Sequence, residues 1–152
     1  MSELTMRRRA LLAAKTEPPW ETLSYNLNGF LPYNVKSIGT EYDSVNGSLR
    51  VYAKSSDAPY SYAYKAFTTQ SGYEYRIECD VQVDAGKFRI GIRKGSNILA
   101  GSPSTTTSTH IDFTFPHNPE YQTIAFYPNY GLSDVMGDCT VSNFVLSRRA
   151  VK

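Results

Sequence analysis

The sequence contains no apolar stretch that approaches the ~20 residues needed to span a bilayer. Its first apolar segment, "ALLAA", follows Arg7, Arg8 and Arg9 and ends just before Lys15. That segment is also shorter than the about 7–15 residues of a signal-peptide core. We therefore expect no signal peptide, and we expect the chain to stay in the cytoplasm in which it is made until it is assembled.

Neither sign of charge dominates, because 16 basic residues face 14 acidic ones and the net charge is +2. Three of the basic residues are the consecutive Arg7, Arg8 and Arg9, so the rest of the chain is close to neutral. A protein that coats nucleic acid usually carries a strongly basic face. The composition therefore argues against nucleic acid as a partner.

Cysteine and histidine are scarce, with two residues of each. Cys79 and Cys139 show no CxxC or Cys/His metal spacing. We predict that both are free thiols, although a disulfide is open if their strands are neighbours. His110 borders a Ser/Thr-rich loop and His117 lies in a Pro-Asn turn, where both are expected to be solvated.

No catalytic motif is apparent. Glu78 and Asp80 are next-but-one neighbours on a predicted strand, a spacing that would permit a glycosidase pair. Such carboxylates more often belong to a solvated sheet face, where arginines pair with them. No glycine-rich phosphate loop or nucleophile elbow is present. We predict no enzymatic activity, and a cytosolic enzyme with an unrecognised site stays as an alternative.

Aromatic residues are abundant, with 12 Tyr and 7 Phe against one Trp, and such side chains pack well on pleated sheets. From Trp20 onward, short alternating runs are separated by turn signals such as Asn46-Gly47. In "YEYRIECDVQV" apolar and charged residues alternate most clearly. We expect about eight to ten such strands, which predicts an all-β sandwich of two antiparallel sheets.

The chain divides into an N-terminal arm, residues 1–19, and a β-domain, residues 20–149. The arm could form one short helix that Pro18-Pro19 would end. A helix this short is marginal alone in water, so the arm is either disordered or held by a partner.

The order of signals from "NGSLRVYA" through "YEYRIECDVQV" and "GKFRIGIRK" to the closing "TVSNFVLS" resembles the jelly roll of carbohydrate-binding modules, the galactose-binding-like fold. The resemblance covers about residues 20–148. It implies a jelly-roll β-sandwich. Members of that family often hold a structural calcium ion partly through an aspartate of the closing strand. Ser142 stands at that position here and Asn143 is kept, so Asp134 and Asp138 are the remaining calcium candidates.

A start of the type "RRRALL" that leads into a lectin-like β-domain resembles small virion proteins of tailed bacteriophages. This resemblance implies a non-enzymatic virion structural protein, a capsid-decoration or tail or baseplate component. Its β-domain would decorate the particle or adhere to host-surface glycans. The alternative is a glycan-binding module of a polysaccharide-degrading system.

In the virion hypothesis, the arm contacts other virion proteins. Arginine forks would pair with partner carboxylates and leucines would fill an apolar groove. Homo-oligomerisation stays open, and so does a terminal tail with no role. The predicted docking residues are Arg7, Arg8, Arg9, Leu11 and Leu12.

Sugar sites on β-sandwiches combine aromatic faces, which stack on pyranose rings, with a few polar groups that fix orientation. Tyr60, Tyr62 and Tyr64 alternate, so they are predicted to share one face of a strand. The alternative is that these tyrosines pack in the core. The candidate carbohydrate-binding residues are Tyr52, Tyr60, Tyr62, Tyr64 and Tyr127, with Arg89, Arg93 and Glu78 as polar partners.

Overall fold

A computed structural model describes residues 18–151 of the chain. Regular structure in this range consists of eleven β-strands, and no helix in it could cross a membrane. The strands are β1 (Glu21–Thr22), β2 (Leu31–Pro32), β3 (Ile38–Asp43), β4 (Ser48–Ala53), β5 (Ala63–Ala66), β6 (Tyr73–Ala85), β7 (Arg89–Lys94), β8 (Asn97–Gly101), β9 (Thr109–Pro116), β10 (Thr123–Tyr127) and β11 (Asp138–Ala150).

The strands form two antiparallel sheets that pack as a jelly-roll β-sandwich. The six-stranded sheet has the order β3-β4-β11-β6-β9, with β1 paired to β11, and the five-stranded sheet has the order β2-β5-β10-β7-β8. The predicted all-β sandwich is confirmed. The strand count exceeds the predicted eight to ten because β1 and β2 have two residues each, too few to leave an alternation in the sequence.

The predicted arm falls almost entirely outside the described residues. Its proposed docking residues are among those the structure does not describe, and the virion contacts assigned to them stay predictions. These residues are Arg7, Arg8, Arg9, Leu11 and Leu12.

The core lies between the inner faces of the two sheets, as the alternation of single strands predicts. Along β6, Ile77 and Val81 are buried, and Ile90 and Ile92 of β7 face them from the other sheet, fully buried. Each such aliphatic side chain contributes about 1.5–3 kcal/mol of hydrophobic stabilisation. Aromatic rings fill the remaining space, and Phe126 stacks on a neighbouring ring at 4.4 Å between centroids.

Both cysteines are free and buried, which confirms the predicted thiols. Strands β6 and β11 are neighbours, but Cys139 lies opposite Val83 rather than Cys79. Burial raises the pKa of each thiol to about 12. Both therefore stay protonated at neutral pH and behave as small apolar side chains.

A β-bulge interrupts the pairing of β11 with β6 after Ser142. Asn143 in this bulge has a φ of 51°, a left-handed conformation that asparagine tolerates better than most residues. Its Nδ2 atom donates a hydrogen bond of 2.8 Å to the Asp80 carboxylate. The asparagine of the closing strand therefore has a backbone role and also ties β11 to β6.

Candidate functional site

The outward face of the five-stranded sheet carries a row of tyrosine rings. The backbone of Tyr33, just after β2, bonds to Tyr62, just before β5, and Tyr127 ends the adjacent β10. Ring centroids are 4.7 Å apart for Tyr33 and Tyr62, 5.3 Å for Tyr62 and Tyr127, and 5.3 Å for Tyr127 and Tyr130. We refer to Tyr33, Tyr62, Tyr127 and Tyr130 as the tyrosine row.

Exposure differs along the tyrosine row and its neighbours. Tyr33 is 66% exposed, and Tyr60, edge-on to Tyr130, is 61% exposed. Tyr127 is buried beneath the others. The outer rings therefore present free surface to solvent, while the inner ring supports them.

Small residues beside the tyrosine row leave room for a depression. Ala125 of β10 lies directly opposite Gly91 of β7. A Cβ atom on residue 91 would lie only 3.2 Å from the Tyr127 ring and from the Ile98 side chain, so glycine keeps this space open. The resulting cleft, which we call the tyrosine cleft, has a volume of about 330 Å³ and is lined by Tyr60, Tyr62, Arg93, Ser96, Asn97, Ile98, Tyr127 and Tyr130.

Arg93 points outward from β7, as the alternation predicts, yet it is only 6% exposed. The sequence places it on a solvated face, but the tyrosines of neighbouring strands cover it. The centre of its guanidinium lies 3.7 Å from the Tyr62 ring centroid and 6.0 Å from that of Tyr127. Its Nε atom is buried and has no hydrogen-bond partner among the described residues.

Arg89 holds Tyr130 in place at the other end of the cleft. Its Nη1 atom donates a 2.6 Å hydrogen bond to the Tyr130 hydroxyl, and its Nε atom donates to the Ser102 carbonyl at 3.0 Å. A hydroxyl can accept and donate at the same time. The Tyr130 hydroxyl therefore keeps its own proton for donation to another group.

Burial raises the pKa of the Tyr127 hydroxyl above its usual range, and the positive charges of Arg93 and Arg89 only partly offset this shift. Tyr127 is consequently a neutral phenol at physiological pH. The residues that line the tyrosine cleft include no acidic side chain. The site can therefore offer ring faces, hydroxyl groups and positive charge.

Two predicted carbohydrate-binding residues do not join this site. Tyr52 and Glu78 lie on β4 and β6 of the six-stranded sheet, where Tyr52 stacks against Arg50 at 4.2 Å and Glu78 pairs with Arg76 at 3.1 Å. The alternation of apolar and polar residues predicts which side chains share a face of one strand. It does not predict the sheet to which that strand belongs. The structure thus brings together Tyr60, Tyr62, Tyr64, Tyr127, Arg89 and Arg93.

The carboxylates of Glu78 and Asp112 on the six-stranded sheet both pair with Arg76. Arg76 contacts Asp112 at 2.6 Å and lowers the pKa of that carboxyl, mainly through their hydrogen bonds. Glu78, His110 and Asp112 are close enough together to contact one metal ion, but Arg76 holds both carboxylates. The side chains on this sheet that could have served as catalytic or metal-binding groups therefore form an ion-pair network.

The two calcium candidates differ in their surroundings. Both oxygens of Asp138 accept hydrogen bonds from Arg50, at 2.9 and 2.8 Å. Asp134 lies in the loop before β11 with a φ of 60°. A calcium ion bound at Asp138 would have to displace Arg50, and both calcium candidates stay predictions.

The sequence alone did not reveal four residues of the site. Tyr33 follows the two-residue strand β2, and Tyr130 lies in the turn "PNYG", so neither belongs to an alternating run. Ser96 lies in the turn between β7 and β8, and Asn97 is the first residue of β8. The one available signal was the clustering of tyrosine near turns, which becomes informative only when the strand order is known.

No protein-family model matches the sequence, and no curated protein matches it significantly. Solved structures with the same fold include carbohydrate-binding modules. One, described as "CBM4 structure and function", is 12% identical, with 85% of this chain and 86% of that chain covered and a TM-score of 0.51. A mutant of a family 29 carbohydrate-binding module is 16% identical, with 85% and 91% covered and a TM-score of 0.54.

A mutant of the module CBM29-2, solved in complex with cellulohexaose, is 15% identical to this chain. The match covers 87% of this chain and 92% of that chain, with a TM-score of 0.54. At such identities, the similarity establishes the jelly-roll fold that this chain shares with these modules.

Proposed function

We propose that this protein is a non-catalytic glycan-binding module and that the tyrosine row and tyrosine cleft form its binding face. The observation that carries this proposal is the continuous row of rings across adjacent strands, with Tyr33 and Tyr60 largely exposed at its margins. Aromatic faces pack against the apolar side of a pyranose ring, and nearby polar groups fix its orientation.

The polar groups of the site suit a sugar ligand. The Tyr130 hydroxyl has a proton to donate because Arg89 already supplies the hydrogen bond that it accepts. Ser96, in the turn between β7 and β8, and Asn97, the first residue of β8, line the same cleft. Donors and acceptors at the side of an aromatic platform are the arrangement that hydroxyl-rich ligands require.

The fold neighbours support a binding role. The named structures are described as carbohydrate-binding modules, one of them in complex with cellulohexaose, and the matches extend over most of each module. Strand β2 lies at an edge of the five-stranded sheet, so an extended glycan could lie across Tyr33 and continue into the cleft.

The virion hypothesis rests on the N-terminal arm, of which the structure describes only Pro18 and Pro19. Of the two contexts that the sequence suggests, we therefore favour a glycan-binding module of a polysaccharide-degrading system. Particle decoration or host-surface adhesion is a second context, in which the same face would bind glycans on a virion.

Replacement of Tyr33 by alanine should weaken glycan binding and leave stability nearly unchanged. The ring is largely exposed, and loss of its stacking surface should reduce affinity by roughly 3- to 10-fold. The measurement is a calorimetric titration with an oligosaccharide that binds on a glycan array, together with a thermal melt of the variant.

The matched control is Tyr42→Ala, because Tyr42 is also exposed but lies on β3 of the six-stranded sheet. We expect this variant to bind as the wild type does. Equal affinities of all three proteins would remove Tyr33 from the site, and a wild-type protein that binds no glycan on the array would refute the proposed function.

A further inference from the structure

The arginines within residues 18–151 fall into two groups. Four of those in the described range form ion pairs with carboxylates, and all four lie on the six-stranded sheet: Arg50, Arg76, Arg148 and Arg149. The other two, Arg89 and Arg93, lie on β7 beside the tyrosine cleft. Within residues 18–151, neither of them has a carboxylate partner.

The lack of a carboxylate partner for Arg93 lowers the stability of the fold, because the side chain is almost completely buried. A buried charge loses its hydration, and a carboxylate normally compensates for that loss. Here the Tyr62 ring at 3.7 Å supplies part of the compensation, but the Nε atom has no acceptor among the described groups. A buried polar atom without a partner requires an explanation.

The carboxylate that pairs with the neighbour of Arg93 does not supply this acceptor. Glu120, in the loop before β10, pairs at 2.6 Å with Lys94, the residue that follows Arg93. Lys94, at the end of β7, therefore neutralises the charge of that carboxylate. Arg89 adds a second positive charge that acts on Tyr127, so the floor of the cleft is positively charged.

We propose, on the basis of the glycan-binding function above, that the ligand is an acidic glycan and that Arg93 binds the carboxylate of a uronic acid residue. The planar guanidinium matches a carboxylate in shape and gives charge-assisted hydrogen bonds. The tyrosine row would hold the pyranose rings, and the ligand carboxylate would provide the acceptor that the protein does not.

The first test compares ligands that differ only in the carboxylate. Oligomers of galacturonate, mannuronate and glucuronate are each titrated beside their carboxyl-reduced forms, in which the acid has become a primary alcohol. At low salt, at least one acidic oligomer should bind tenfold or more tightly than its reduced form. The preference should shrink as sodium chloride is raised, because salt screens charge pairs.

The second test uses Arg93→Gln with Arg148→Gln as its control. Arg148 also stacks on a tyrosine, at 4.1 Å from Tyr73, but on the other sheet. The ratio of acidic to reduced affinity should fall to about one in Arg93→Gln and stay unchanged in the control. If Arg93→Gln fails to fold, Arg93→Lys and the salt dependence of the wild type replace it, since Lys keeps the charge but loses the planar fork.

The results separate this inference from the proposed function. Equal or tighter binding of the reduced oligomers overturns the acidic-glycan inference and leaves the binding module intact. A preference for sulfated oligosaccharides over every uronate overturns the carboxylate assignment. Absence of binding to any glycan, acidic or neutral, overturns both.

Discussion

Replacement of Phe126 by alanine should lower the free energy of unfolding by about 3–5 kcal/mol, the usual cost of removing a buried phenylalanine ring. Phe126 is fully buried on β10, in the middle of the five-stranded sheet. Its ring stacks on that of Phe30, with the ring centroids 4.4 Å apart. The centroids of the Phe88 and Phe144 rings lie 5.9 and 6.1 Å from its own. Truncation would leave a cavity that a packed sandwich closes only in part.

Chemical denaturation monitored by circular dichroism measures this effect. The control is Val45→Ala, because Val45 is 91% exposed in a turn, and surface substitutions of this kind usually change stability by less than about 0.5 kcal/mol. A loss below about 1 kcal/mol for Phe126→Ala would mean that the two sheets do not pack on each other through this ring.

Replacement of Gly137 by alanine should destabilise the protein by about 3 kcal/mol, at the upper end of the cost of overpacking. A Cβ atom at this position would lie 2.2 Å from the carbonyl oxygen of Pro128. That oxygen also accepts a hydrogen bond from the Lys87 amide at 3.1 Å. Moving the oxygen away from the new Cβ atom would therefore weaken this hydrogen bond. Backbone atoms rather than a flexible side chain create the clash.

The same substitution should weaken glycan binding, because the displaced segment carries Tyr130 between Pro128 and Gly137. Thermal melts and titrations of Gly137→Ala measure the two effects together. Ser133→Ala, an exposed change in the same loop, should alter neither. Normal stability of Gly137→Ala would show that Gly137 and the Pro128 carbonyl oxygen, at the two ends of this loop, do not lie so close together.

Much of the fold could be predicted from the sequence. When one face of a strand is buried, apolar and polar residues alternate along it with a period of two. The alternation in β6 and β7 correctly identifies the inward side chains, including Ile77 and Ile90. This alternation of buried and exposed residues does not indicate the order of the strands in a sheet. For this reason the sequence could not assign Glu78 and Arg93 to different sheets.

The candidate site was predicted only in part, because its residues come together through pairing between distant strands. The alternation of Tyr62 and Tyr64 indicated a shared face, which the structure shows on the five-stranded sheet, with the two rings 6.2 Å apart. Tyr33 enters the site through its backbone bond to Tyr62. The burial of Arg93 depends on rings from outside β7, so the sequence of β7 alone does not predict it.

The central claim, that the tyrosine face binds glycan, is tested most directly by nuclear magnetic resonance. Backbone amide signals of isotope-labelled protein are recorded during titration with the tightest-binding oligosaccharide. The shifts should concentrate at Tyr33, Tyr62, Arg93, Asn97 and Tyr130. Shifts concentrated instead on the six-stranded sheet, or no shifts with any glycan, would contradict the claim.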